Sequence, residues 1–248
     1  MRAYTSFAEV YDSFMDNVPY ELWKEQTINL LHKEGIDSGI VTELGCGTGT
    51  LTQLLAKSGY DMIGIDISED MLNMALRKKD ESKLDILYLC QDMTEFELYG
   101  SCRAFISRCD SINYILKYKD LLKMFKLVNV YLDNEGVFIF DCNTIYKYKE
   151  VLADKTFAYT KDIGSFIWEN AYYSSKFLNQ YDVTFYVKDS EDEVFHRFEE
   201  THIQRAYSLE ELKKAALKAG LKWKYILDAD TNKAIKAKTE RYLVCLGK

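Results

Sequence analysis

The chain has 248 residues, 48% of them apolar and 29% charged, which suits one large globular domain and excludes a disordered chain. Its 32 Lys and Arg against 39 Asp and Glu leave a formal charge of −7, which disfavours a broad phosphate-gripping surface and hence nucleic acid as a partner. The longest apolar runs, such as Gly136-Val-Phe-Ile-Phe140, are too short to cross a bilayer, so no membrane contact is expected. Glu9, Asp12 and Asp16 near the start are unlike a secretory signal. Six scattered cysteines without a C-x-x-C pair fit a reducing compartment, and a soluble cytoplasmic protein is expected. His32, His196 and His202 fit no zinc spacing, so no metal is expected either.

Pro19 and Gly35 bracket an apolar-periodic run as a first helix. Residues 39–44 predict a strand ending at glycines, 50–58 a helix closed by Gly59, and 60–67 a second strand. Ser68 is placed to cap a helix running to about Lys79, with Glu69 and Asp70 in its first turn. Strands at 84–91, 103–109 and 136–142 follow, with a helix over 118–132 between the last two. Near-continuous apolar strands alternating with helices predict a parallel sheet covered on both faces.

Beyond residue 150 the pattern changes. Residues 164–173, 177–187 and 193–206 predict long strands with short connections, hence an antiparallel meander. Ser208 and Glu211 form a capping-box pattern for a helix over 208–219, and strands near 222–228 and 240–246 complete the first sheet as a hairpin. The expected fold is therefore α/β, with residues 1–150 and 207–248 forming one domain and 151–206 an antiparallel β insertion.

Glu43-Leu-Gly-Cys-Gly-Thr-Gly-Thr50 closes the first strand and opens a helix, where an open α/β sheet holds its ligand. A dinucleotide fingerprint requires glycine where this chain has Thr50. Asp66 ends the second strand, 21 residues after Gly45, where a carboxylate can accept both hydroxyls of a ribose. Asp92 follows the third strand and can accept an adenine amino group while Met93 packs on the ring. Taken singly, Asp66 beside a helix cap and Asp92 in a turn have ordinary structural explanations. Three features in order along one sheet edge favour the ligand.

On Glu43-Leu-Gly-Cys-Gly-Thr-Gly49, Gly64-Ile-Asp-Ile-Ser68 and Cys90-Gln-Asp-Met93 the chain resembles the class I S-adenosylmethionine-dependent methyltransferases over roughly residues 1–145. The resemblance implies a Rossmann-like sheet of seven strands, the last antiparallel, with S-adenosylmethionine across the strand ends. It further implies cofactor contacts from Tyr11, Glu43, Gly45, Cys46, Gly47, Asp66, Ile67, Asp92, Met93 and Cys109. Phe7-Ala8-Glu9-Val10-Tyr11-Asp12 and Asp110-Ser111-Ile112-Asn113-Tyr114 are similar to segments of small-molecule methyltransferases that include the amino-sugar N-methyltransferases. Arg108 departs from the small residue of that pattern and is expected to pair with an acidic acceptor or to reach solvent.

Methyl transfer is an in-line displacement, so the protein mainly desolvates and aligns, and only a hydroxyl or acidic carbon gains much from a base. The catalytic candidates are Tyr11, Tyr114, Asp141 and Asn143, although capping the following segment explains Asp141 and Asn143 equally well. His202 and Arg205 are expected on a strand surface, with contact to substrate as the lesser alternative. The acceptor implied is N or O of a small molecule. A tRNA or protein methyltransferase, or a non-catalytic S-adenosylmethionine-binding protein, are the alternatives. The aromatic-rich insertion is expected to serve as a substrate lid or a homodimer contact.

Overall fold

A computed structural model describes residues 11–12, 14, 18–189 and 194–248. Phe7 to Val10 of the N-terminal motif therefore lie outside the described residues.

Helix α1 (Tyr20–Lys33) leads into strand β1 (Gly39–Leu44), followed by α2 (Thr50–Lys57), β2 (Tyr60–Asp66), α3 (Glu69–Ser82) and β3 (Ile86–Cys90). Strand β4 (Cys102–Ser107), a 3₁₀ turn (Ser111–Tyr114), α4 (Tyr118–Tyr131) and β5 (Leu132–Asn143) complete the first half. Ser68 caps α3 by accepting the Met71 N–H at 3.3 Å, as its sequence position predicts.

After a π-helical turn (Lys147–Leu152) come β6 (Thr156–Lys161), β7 (Gly164–Tyr173), β8 (Leu178–Lys188) and β9 (Phe195–Arg205). Helix α5 (Leu209–Lys218), with its full Ser208–Glu211 capping box, and strands β10 (Lys222–Asp228) and β11 (Arg241–Gly247) end the chain.

Seven strands form one sheet in the order β10-β11-β5-β4-β1-β2-β3. Strands β1 to β5 pair in parallel, whereas β11 runs antiparallel to both β5 and β10. Successive residues of β5 feed opposite layers: Phe138 and Phe140 pack with Phe125 and Leu212 on one face, Val137 and Ile139 with Leu31 and Leu55 on the other. Burial of both faces explains why these strands lack a polar period. No described helix is long and apolar enough to cross a membrane.

The second sheet has the order β6-β7-β8-β9, antiparallel throughout. Strand β6 and the π-helical turn are absent from the sequence expectation. In β6 every residue up to Thr160 is exposed, so little burial pattern marks it; the turn is recognisable only by Tyr148 and Leu152, four apart and both buried. Strand β5 also begins at Leu132 rather than 136, because Cys102 pairs with Leu132 before a register shift. One face of this sheet packs Phe166 and Phe185 around Phe14, an N-terminal residue only 3% exposed. Phe14 is thus held under the insertion.

Candidate active site

The β1–α2 loop is shaped by three glycines at positive φ: Gly45 at 72°, Gly47 at 54° and Gly49 at 73°. A Cβ on Gly45 would lie 2.6 Å from the Cβ of Ser111, so the loop backbone forms a close-fitting surface there. Asp66 orients the loop directly: Oδ2 accepts the Gly47 N–H at 2.7 Å and Oδ1 the Ser68 N–H at 2.9 Å. Each carboxylate oxygen keeps a second acceptor position.

Asp92 accepts the Thr94 N–H at 2.7 Å through Oδ1 alone. Met93 reaches back over the glycine loop, its Cε 3.2 Å from where a Gly45 Cβ would sit. Ile67 is exposed at the same edge. Beneath the loop, Glu43 is buried and accepts the Thr52 hydroxyl; burial pushes its carboxyl up to about 8, against the pull of that hydrogen bond. Burial likewise raises the Cys46 and Cys109 thiols, the latter to about 12, so neither is an activated nucleophile.

Asp12 joins the N-terminal segment to this loop, accepting the Thr48 hydroxyl at 2.7 Å and pairing with Lys78 at 2.5 Å. Its place in the N-terminal motif carries no sequence signal for that contact.

The turn after β4 is strained, with Cys109 at φ 58° and Asp110 at φ 50°. Asp141, at the end of β5, pins it. Oδ1 accepts the Asp110 N–H at 2.7 Å and Oδ2 the Cys109 N–H at 3.3 Å. Oδ2 also lies 3.0 Å from Nε of Arg108. This corrects the catalytic reading of Asp141: it is fully buried, lies behind the cleft and has its acceptors engaged. Of the two expectations for Arg108, its 1% exposure overturns only the one that it reaches solvent. Asn143 accepts nothing at Oδ1, lines the cleft and donates to the Tyr148 hydroxyl at 3.2 Å.

The insertion forms the roof. From β9, Glu200, His202 and Gln204 line the cleft on one strand face; His202 was expected on the strand surface and instead points inward. The Tyr114 hydroxyl lies 2.7 Å from that of Tyr181 and 3.2 Å from Nδ1 of His202. Nε2 of His202 faces Glu200 at 3.2 Å, and the imidazole stacks on Tyr181 with centroids 5.0 Å apart. Only a period-two reading of Phe198, Glu200, His202 and Gln204 could have revealed this. Arg205 stays outside, paired with Glu211 at 2.8 Å. Roof and floor enclose about 1360 Å³, and Tyr11 lines the same space.

A family model for the methyltransferase domain matches residues 41–136, which span β1 to the start of β5. The chain is 34% identical over 239 residues to "Putative methyltransferase YqeM" of Bacillus subtilis (strain 168), covering 96% of this chain and 94% of that protein. A solved S-adenosylmethionine-dependent methyltransferase from Clostridium acetobutylicum ATCC 824 superposes with a TM-score of 0.89 at 31% identity, covering 97% of each chain. The chain belongs to the S-adenosylmethionine-dependent methyltransferases. The sugar N-methyltransferase KedS8 from Streptoalloteichus sp ATCC 53650 shares the fold, with a TM-score of 0.77 at 15% identity over 100% of this chain and 97% of that one.

The floor of this methyltransferase suits its cofactor. The Gly45 cradle leaves the backbone bare, Asp66 offers two oriented acceptors to a ribose, and Asp92 retains a free Oδ2 beside Met93. Glu43 adds a buried carboxyl to the lining of the same cleft. Among the described residues no group of three His, Cys, Asp or Glu side chains is placed to hold a metal ion.

Proposed function

We propose that the enzyme moves the methyl group of S-adenosylmethionine to N or O of a small molecule held between the sheet edge and the insertion. The observation that carries this reading is the Tyr114–Tyr181–His202–Glu200 cluster, which overhangs the same cleft as the glycine loop. A cavity of about 1360 Å³ exceeds the roughly 300–1,000 Å³ of a single ligand pocket, leaving room for an acceptor beside the cofactor. The β insertion over 151–206 acts in this reading as the substrate lid.

The bound cofactor supplies a methyl carbon already activated by the sulfonium. Asp66, with Asp92 and Met93, holds the nucleoside end, while the glycine loop and the turn at Cys109 hold the methionyl end. Trp168, whose buried Nε1 donates to nothing among the described residues, and Oδ1 of Asn143 orient the acceptor. An acceptor hydroxyl passes its proton through the Tyr114 hydroxyl to Nδ1 of His202, and Glu200 steadies the imidazolium. An amine that arrives neutral needs only alignment. The aromatic side chains of the roof, Phe166, Trp168 and Phe198 among them, exclude water from the transfer.

The test is incubation with methyl-labelled S-adenosylmethionine and fractionated metabolites, tRNA and protein. Label in a small-molecule fraction together with S-adenosylhomocysteine supports the reading. Label in tRNA or protein, or tight binding without turnover, overturns it.

A further inference from the structure

Three cations meet on the acceptor side of the cleft. Arg108 follows β4, Lys147 follows β5 and Arg241 opens β11, and all three line the cavity. In the sheet order these elements lie on one side of β1, whereas Asp66 and Asp92 lie on the other. Two carboxylates answer the three cations: Arg108 faces Asp141 at 3.0 Å, and Arg241 faces Asp110 at 3.0 Å. Lys147 is half-buried and forms no ion pair among the described residues, so it alone of the three cations has no carboxylate paired to it. Asp230 and Glu240 add weaker negative charge from the β10–β11 connection without pairing to these cations.

The corner also has unspent donors. Among the described residues Nη1 of the buried Arg108 and Nη1 of Arg241 have no hydrogen-bond partner, the latter facing Oδ2 of Asp141 at 3.7 Å without bonding it. Both guanidinium groups lie over the Trp23 ring, Cζ of Arg108 5.5 Å and Cζ of Arg241 5.2 Å from its centroid, and the ring helps to hold them in place. Burial, with Arg241 nearby, pushes the Lys147 ammonium below its ordinary range, which an incoming anion would reverse.

We propose that this corner binds a carboxylate of the acceptor, which makes the acceptor a small monocarboxylate. The inference rests on the small-molecule reading above. One unpaired ammonium matches one carboxylate, whereas a phosphate dianion would bring a second charge that no unpaired cation meets. The planar fork of a guanidinium also matches a carboxylate edge.

The experiment is calorimetric titration of the protein saturated with S-adenosylhomocysteine, using benzoate and its uncharged amide, benzamide. Benzoate should bind saturably and benzamide about tenfold more weakly, as expected for a lost charge-assisted hydrogen bond. Lys147→Met should weaken benzoate about tenfold and leave benzamide unchanged. Equal binding of the two probes, or no saturable benzoate binding, overturns the proposal. A parallel titration uses 5′-methylthioadenosine, which lacks the methionyl carboxylate, in place of S-adenosylhomocysteine. Benzoate binding seen only there assigns the corner to the cofactor's own carboxylate and also overturns the proposal. Arg241→Gln should abolish benzoate binding; if that variant fails to fold, Lys147→Met at its half-exposed position decides. No turnover is needed, so failure here leaves the labelled-methyl test of function intact.

Discussion

The Asp141 carboxylate accepts the backbone N–H of Asp110 at 2.7 Å, tying the end of β5 to the strained turn that follows β4. The same group faces Arg108, and both side chains are buried. Removing one partner of such a pair leaves an uncompensated charge, so Asp141→Ala should cost about 3–5 kcal/mol in denaturant unfolding. A general base would behave differently: activity would be lost with stability intact. A stable, inactive Asp141→Ala enzyme would therefore restore the catalytic assignment.

Asp66 serves both the loop and, in our reading, the ribose. Saturation with S-adenosylhomocysteine at a hundredfold its dissociation constant should stabilise the protein by about 2.7 kcal/mol. Asp66→Ala should remove most of the resulting rise in melting temperature. Gly45→Ala should do the same for a steric reason, because its new methyl meets Ser111 and its φ of 72° is strained for alanine. NAD should give no rise in either protein. An undiminished ligand shift in Asp66→Ala would refute the ribose contact.

Glu43 gives the enzyme a pH dependence with a definite sign. Its folded carboxyl titrates near 8, above its ordinary 4.5, so between these values the folded chain holds a proton that the unfolded chain has released. Stability without ligand should therefore fall as pH rises through that window, by at most about 1.4 kcal/mol per unit. S-adenosylmethionine carries a permanent positive charge and favours ionised Glu43, so its affinity should rise towards pH 8 and then level off. Calorimetry from pH 6 to 9 on the parent and on Glu43→Gln checks this. The variant should bind with a flat profile.

The aromatic residues of the insertion divide by what they touch. Phe185 packs on Phe14 at 5.3 Å, close in sequence to Asp12, which grips the glycine loop. Trp168 instead meets Tyr181 at 5.5 Å, beside the Tyr114–His202 cluster. Phe185→Ser should weaken S-adenosylhomocysteine binding and turnover together, whereas Trp168→Gln should lower turnover alone. Parallel losses in both variants would reduce the insertion to structural support.

The seven-stranded sheet is legible because its strands are buried on both faces and its helices carry local caps, as at Ser68 and Ser208. The cofactor floor is legible for a related reason: its residues sit at strand ends at fixed spacing. The acceptor side is not. Asp141 stands where a catalytic carboxylate would, and only its burial among Arg108 and two backbone N–H groups shows otherwise. His202 lies 88 positions from Tyr114, and their meeting depends on how a second sheet folds over the first. Local pattern holds no record of that packing. The strained turn at Cys109 and Asp110 is nearly as silent: aspartate tolerates a positive φ better than most residues, but cysteine gives no sign of one.

His202 is where the proposed chemistry is most exposed to test. With a labelled hydroxyl acceptor in hand, His202→Gln should lower kcat about 10²–10⁴-fold, the usual contribution of a general base. Tyr114→Phe, which breaks the link between acceptor and imidazole, should fall in the same range. Affinity for S-adenosylhomocysteine should hold in both, because neither residue belongs to the glycine loop or to the Asp66 edge. The sharper readout is the split between kcat and KM. In His202→Gln and Tyr114→Phe the loss should fall on kcat, with the KM of the acceptor nearly unchanged. Glu200→Gln should lower kcat less, since the imidazolium loses its partner 3.2 Å away. A kcat near the parent value in His202→Gln would show that the acceptor loses its proton elsewhere.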